Sequence, residues 1–252
     1  MFLLTARWRA VKSLAIGLIA LFAFALMPHT ASAAPELPAA LNSVGKSEQV
    51  VLVQANNWNA TKGTLRAFAK IKGSWTEIQT KVPVDLGYGG LVPGDKRRQG
   101  TGKTPTGTYA ITSAFGRKAD PGTKLDYIKI DRNDAWTYNP RVPSTYNIFQ
   151  TANRSWKSYG NYVESLYSYG KQYNYVAIMD FNLPRGNITK GPNGVYRTDK
   201  PANTSRGGGI FLHVSNGDET AGCIAVSEPV MRDLMTWFNP KKNPVIIVEV
   251  KK

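Results

Sequence analysis

The sequence predicts a mainly β domain with one or two short helices, and three observations carry that prediction. Short runs rich in Val, Ile and Tyr recur between Gly-, Pro- and Asn-rich stretches from Gln49 to Val250, the pattern of strands separated by turns. Thr64 to Lys72 places Leu65, Ala67, Ala69 and Ile71 on alternate positions, the period of a half-buried strand. A clear helical stripe is confined to Ser227–Phe238.

In chain order, residues 34–48 are Pro- and Ala-led and expected to be loosely ordered, ahead of a single domain over residues 49–252. Gln49–Asn56 reads as a strand. Thr64–Lys72 and Trp75–Val82 read as two more, joined by a two-residue turn at Gly73-Ser74, so the domain opens as an antiparallel meander. Residues 83–107 hold seven glycines and three prolines, too many for one continuous strand or helix. They also carry Lys96, Arg97, Arg98 and Lys103, as expected of either a surface loop or a substrate-facing one. Strands follow at Thr108–Phe115 and Lys124–Ile130.

Residues 131–172 interleave Tyr and Trp with polar side chains. Aromatics packed on a sheet fit this pattern better than a carbohydrate-stacking surface, and a short helix is expected near Tyr162–Tyr169. Tyr173–Asp180 and Ile210–Val214 read as strands, and residues 182–206 as loop. Ser227 is placed to cap the helix, with Pro229 in its first turn. Val230, Leu234 and Phe238, with Met231 and Met235 beside them, form its buried stripe, and Pro244–Val250 is the last strand.

Residues 1–33 read as a signal peptide. Arg7, Arg9 and Lys12 precede an apolar Ser13–Met27, and Ala31-Ser32-Ala33 supplies a small-x-small cleavage pattern. A retained anchor is the alternative; lipid attachment is excluded because no cysteine lies near this site. Cleavage would leave no transmembrane segment and would remove three cations and no carboxylates, lowering the formal charge from +15 to +12. So basic a chain is attracted to polyanions, for a secreted protein the anionic wall polymers, the carboxylates of wall glycan and peptides, and lipid headgroups. Nucleic acid is disfavoured, because the cations are scattered and no nucleic-acid module signature is present. A monomer is expected.

Cys223 is the single cysteine, so no intrachain disulfide can form and the fold must rest on a packed core. A free thiol in an oxidising compartment is a liability unless it is buried or used. His213 is the one histidine that would survive removal of the leader. An imidazole beside a thiol can take its proton and stabilise the thiolate, and a hairpin between the two positions would bring them together. Gly222 permits close backbone approach, and the N–H groups of Gly222 and Cys223 could face a developing oxyanion. A metal site is disfavoured, since one Cys and one His would have to recruit Asp218 or Glu219 as further ligands. No G-x-S-x-G elbow is present.

The stretch Gly207–Val226 resembles the catalytic signature of the L,D-transpeptidase (YkuD-type) family: a His, a spacer, then Ser/Thr-His-Gly-Cys-hydrophobic-Asn or -Arg. His213, Thr220, Gly222, Cys223 and Ile224 fall on its places. Gly94–Ile111, with Lys103-Thr104-Pro105 and Gly107, is similar to the segment that leads into the family's catalytic half, and the likeness spans about Val82 to Val250. The chain departs from the pattern at Ala221, at Ala225 and in a short nine-residue spacer. The resemblance implies a β-sandwich-like YkuD domain in the cell wall or periplasm, acting on peptidoglycan stem peptides without cofactor or metal. It implies His213 as base and Cys223 as nucleophile, with D-Ala released from a stem tetrapeptide and a thioester passed to an amine as a 3→3 cross-link. The backbone carbonyl at or next to Val214 would orient the imidazole, as the family's third triad member does. Beside the resemblance, Lys103 and Arg206 are read as cations for the stem-peptide carboxylates, with Thr220 as a further substrate-binding residue. Two other readings stay open, a stem-peptide hydrolase using the same pair and a non-catalytic cationic wall-binding protein.

Overall fold

The computed structural model describes residues 37–151 and 154–251; the signal-peptide reading of residues 1–33 lies outside them. The strands are β1 (Gln49–Ala55), β2 (Lys62–Ile71), β3 (Ser74–Asp85), β4 (Leu91–Pro93), β5 (Thr104–Gly116), β6 (Tyr127–Lys129), β7 (Ala135–Thr137) and β8 (Ile148–Gln150). They continue as β9 (Val163–Ser165), β10 (Val176–Met179), β11 (Ile188–Lys190), β12 (Tyr196–Thr198), β13 (Phe211–Val214), β14 (Ile224–Val226) and, after helix α1 (Glu228–Trp237), β15 (Val245–Val250). The chain is mainly β, with short 3-10 turns and α1 between the strands.

One ten-stranded sheet dominates. Its pairing runs β10-β13-β14-β3-β2-β1-β15-β5-β4, with β6 on β5. Strand β5 pairs with β15 through residues 107–110 and with β10 through residues 111–115, so the path bends back on itself into two facing layers. Period-2 alternation fills the space between them. Val51, Val53, Leu65, Ala67, Ala177, Met179, Leu212, Val214, Ile224, Val226, Ile246 and Val248 share one buried cluster, which α1 completes with Met231, Leu234, Met235 and Phe238.

The predicted strands appear close to their expected positions, and the differences have local causes. The hairpin between β2 and β3 turns at Lys72-Gly73, one residue earlier than expected. Both residues have positive φ, 49° and 85°, the conformation that a two-residue turn between twisted strands demands. The 83–107 stretch contributes the end of β3, all of β4 and the start of β5. Instead of a helix at Tyr162–Tyr169, β9 is flanked by 3-10 turns at Arg154–Tyr162 and Leu166–Tyr173, with Gly160 and Gly170 at positive φ interrupting them. The buried stripe of α1 is led by Met231, not Val230. Ser227 makes no side-chain cap; its carbonyl accepts from Met231 N–H, while Glu228 in the first turn pairs with Lys118. Among the described residues no helix is long and apolar enough to cross a membrane.

The lead-in is more ordered from residue 37 than its composition suggests. A 3-10 turn at Ala39–Ser43 seats Leu41 against Val50, Leu52, Phe68 and Ile247, covering the outer face of β1, β2 and β15. Those side chains alternate with the ones in the main core, so the strands are buried on both faces. Truncating Leu41 to Ala should lower the unfolding free energy by about 2–4 kcal/mol in denaturant titration. A loss below about 0.5 kcal/mol, the size of an ordinary surface change, would place the lead-in outside the cooperative fold.

Candidate active site

Alternation along β13 sends Leu212 and Val214 into the main core and presents Phe211 and His213 on the opposite face. Strand β14 runs parallel to β13, with Leu212 beside Ile224 and His213 beside Ala225. A hairpin between His213 and Cys223 is therefore not what forms. The connecting residues cross to the edge of β3, where Thr220 bridges Gly87 and bonds the backbone of Leu86 and Tyr88, and then return. Extending the parallel register puts Cys223 beside Phe211 and diagonal to His213. Ala225 is the direct neighbour of His213 in that register.

The thiol is nearly enclosed and held by backbone. Phe211 N–H donates to Sγ at 3.4 Å, and Sγ donates to the Gly209 carbonyl at 3.2 Å. Burial raises the Cys223 pKa to about 12, aided by the Glu164 charge and opposed by the Phe211 N–H and by Arg97. His213 is 5% exposed, and burial lowers its pKa to about 4, against the opposing pull of the Val214 carbonyl and Asp85. Its Nδ1 lies 2.9 Å from the Val214 carbonyl oxygen. A carbonyl only accepts, so Nδ1 carries the hydrogen and Nε2 keeps a free lone pair. The resting pair is thus a neutral thiol and a neutral imidazole, and among the described residues no hydrogen bond joins them.

Two further charged residues frame the pair, and neither stands out in the sequence. Arg97 is 3% exposed. Its Nε donates to the Lys103 carbonyl at 2.9 Å and its Nη1 to the Arg206 carbonyl at 2.7 Å. Its Nη2 has no hydrogen-bond partner among the described residues and lies 3.1 Å from where a Gly222 side chain would begin. Glu164, on β9, accepts from Tyr173 OH at 2.8 Å. The Tyr173 ring in turn meets the His213 ring edge-on, 5.5 Å between centroids. Arg97 is hidden in a run of cations and Glu164 in a polar, aromatic loop, and the glycines at 207 and 222 that crowd the guanidinium reveal its place only in the folded chain.

Residues 131–151 and 154–175 form the far wall. Strands β7, β8 and β9 make a small sheet that packs Trp136 against Phe211 at 4.9 Å between ring centroids. Trp136 Nε1 donates to Asn147 Oδ1, which also accepts from Gly209 N–H at 2.9 Å. Gly209 is therefore fixed from behind while its carbonyl holds the thiol. Cys223, His213, Arg97, Glu164, Thr220 and Gly207–Gly209 line one cavity of about 360 Å³, with Tyr88, Tyr138, Tyr162, Tyr169 and Tyr173 around it.

The remaining residues singled out in the sequence are divided by this geometry. Thr220 Oγ1 donates to the Cys223 carbonyl at 2.7 Å and accepts from Gly222 N–H at 3.1 Å. The Gly222 N–H is therefore engaged and not directed at an oxyanion. Gly222 itself has φ 125°, and a Cβ there would sit 2.8 Å from the Lys103 carbonyl oxygen, so close approach does require glycine. Lys103 contributes that carbonyl, but its side chain does not line the cavity. Arg206 faces a different cavity, with Asp180, Asn182 and Asn203, and donates to the Gly94 carbonyl at 2.6 Å.

The family model for the L,D-transpeptidase catalytic domain, YkuD, matches residues 64–247. No curated protein matches the chain. Among solved structures, the helical cell shape determining protein Pgp2 from Campylobacter jejuni is similar at 18% identity and a TM-score of 0.36, over 82% of this chain and 49% of that one. The chain thus spans about half the length of that protein.

The depressed pKa of His213 has a consequence for stability. The unfolded chain protonates this group near pH 6.5, the folded one not until about pH 4. The contribution is full above about pH 6.5 and is lost as the pH falls toward 4, amounting to about 3 kcal/mol. Glu164 acts in the opposite sense, because burial raises its pKa to about 7; its contribution is lost as the pH rises through that value. The difference in unfolding free energy between the parent and a His213→Asn variant should therefore shrink by about 3 kcal/mol from pH 7 to pH 4. A flat difference would mean that His213 is not held neutral.

Proposed function

The chain belongs to the family of L,D-transpeptidase catalytic domains, and from that premise we propose that it is a secreted cysteine acyltransferase that cross-links peptidoglycan stem peptides through a thioester on Cys223. The observation that carries this reading is the placement of His213 on β13 and of Cys223 just before the parallel strand β14, both open to one cavity. Basic charge, +12 once the leader is removed, draws the protein to the anionic wall in which its substrate lies.

The neutral resting pair sets the order of events. A thiol with a pKa near 12 is not a standing thiolate, so ionisation accompanies attack. With a stem tetrapeptide in the cavity, the Sγ proton passes to Nε2 of His213 while sulfur bonds to the carbonyl carbon of the third, diamino-acid residue. The Val214 carbonyl holds the ring and steadies the imidazolium that forms. Negative charge on the tetrahedral oxygen is met by the Cys223 N–H and by Arg97 Nη2, which takes the place of the engaged Gly222 N–H. Collapse breaks the amide, and the departing D-Ala nitrogen takes the proton from His213. The thioester then passes to a side-chain amine as a 3→3 cross-link.

Purified protein given disaccharide-tetrapeptide and an acceptor amine should yield dimer, and the amine-free reaction should run slower and give only hydrolysed peptide. Cys223→Ala should lower turnover at least about a thousandfold while its unfolding transition stays cooperative. Unchanged turnover in the folded variant would exclude Cys223 as the nucleophile, and hydrolysis alone with amine present would mark the protein as a hydrolase.

A further inference from the structure

We propose that Glu164 and the tyrosines around it form a receptor for a primary ammonium group next to Cys223, the group that goes on to attack the thioester. The proposal deepens the acyltransferase reading and rests on it for the chemical step, though not for the binding.

The geometry begins with Gly209. Its carbonyl accepts the Cys223 thiol hydrogen, and Glu164 Oε1 lies 3.3 Å from where a Gly209 side chain would begin. Carboxylate and thiol thus flank the same residue. Glu164 Oε2 takes one hydrogen bond, from Tyr173 OH, and among the described residues Glu164 forms no ion pair. Among the described residues lining the cavity the one buried cation is Arg97, whose Nε and Nη1 are engaged by the Lys103 and Arg206 carbonyls and which forms no ion pair with Glu164.

The surrounding wall is aromatic. Tyr138, Tyr162, Tyr169 and Tyr173 line the cavity with Glu164, and Tyr169 stacks on Tyr173 at 4.7 Å between centroids. Burial, and then the Glu164 charge, push the hydroxyl ionisations of Tyr138, Tyr169 and Tyr173 upward, so these rings stay neutral. An uncompensated carboxylate beside neutral aromatic faces is the complement of an ammonium ion. Burial without a counter-ion also leaves Glu164 with a pKa of about 7, close to the value that suits a group both binding an ammonium and taking its proton near neutrality.

In the reaction the ammonium gives one proton to the Glu164 carboxylate and becomes a free amine. Its nitrogen bonds to the thioester carbonyl carbon, the C–S bond breaks, and the pair of electrons leaves with Sγ. The nitrogen's second proton passes through His213 to the thiolate, restoring the neutral pair, and Glu164 returns its proton to solvent.

The test uses the full chain with Nα-acetyl-lysine amide as probe and its Nε-acetylated form as the neutral control. Calorimetry on Cys223→Ala should show the amine binding and the neutral control at least about tenfold weaker. Adding Glu164→Gln, which can still accept from Tyr173, should abolish that preference. Equal binding of the two probes to Cys223→Ala, or an unaltered preference in the double variant, would overturn the proposal. With Cys223 intact, Glu164→Gln should also lower the ratio of amine capture to hydrolysis about tenfold, and an unchanged ratio would equally overturn it. Failure to form any thioester in the parent would refute the acyltransferase reading, while the calorimetry would still decide the ammonium receptor.

Discussion

The buried guanidinium of Arg97 is the constraint on which the site is assembled. A charge this enclosed is costly unless its donors are met, and the chain meets Nε and Nη1 with carbonyls brought in from separate loops. The Lys103 carbonyl takes Nε, the Arg206 carbonyl takes Nη1, and the Phe181 ring supports Arg97 at 5.6 Å and Arg206 at 5.2 Å. Glycine at 207 is obligatory, since a Cβ there would fall 1.8 Å from Nη1. Gly222 leaves room for the same group on the other side. The loop after β4, the loop before β13 and the turn that carries Cys223 are thereby held in one arrangement.

That arrangement also sets the electrostatics of the thiol. Arg97 favours its ionisation, Glu164 opposes it, and desolvation outweighs both. The consequence is a thiol kept protonated while it stays buried, which under the proposed mechanism holds the nucleophile in reserve until a substrate fills the cavity. The departures at Ala221 and Ala225 fit the same picture. Ala225 lies buried beside His213, and the positive charge near Cys223 comes from Arg97, on a distant part of the chain.

Much of the fold was legible because alternation is a direct record of which face of a strand is buried. Leu65 and Ala67, or Leu212 and Val214, point inward in the structure as their spacing indicates. Direction of pairing leaves no such record. Parallel and antiparallel partners share the same period, so the β13–β14 crossover could not be read from residues 210–226. The turn at Lys72-Gly73 was displaced by one residue because a lysine adopts a positive φ that composition does not announce. Cys223 was conspicuous as the single cysteine, and His213 as the one histidine beyond residue 33. Arg97 and Glu164 were not, since Arg97 sits in a run with Lys96 and Arg98, and only the convergence of loops distant in sequence distinguishes it. Lys103 and Arg206 attracted notice as cations, yet both serve the site through carbonyls, which any residue possesses.

The central claim is that Cys223 carries the acyl group. It is tested most directly by intact-protein mass spectrometry on samples quenched in acid within the first turnovers on disaccharide-tetrapeptide, followed by peptide mapping. An acyl group on Cys223 would appear as an added mass equal to the donor less D-Ala, located on the peptide that contains Cys223 and labile to hydroxylamine. Steady product formation with no such adduct at any quench time, or an adduct on another residue, would contradict it.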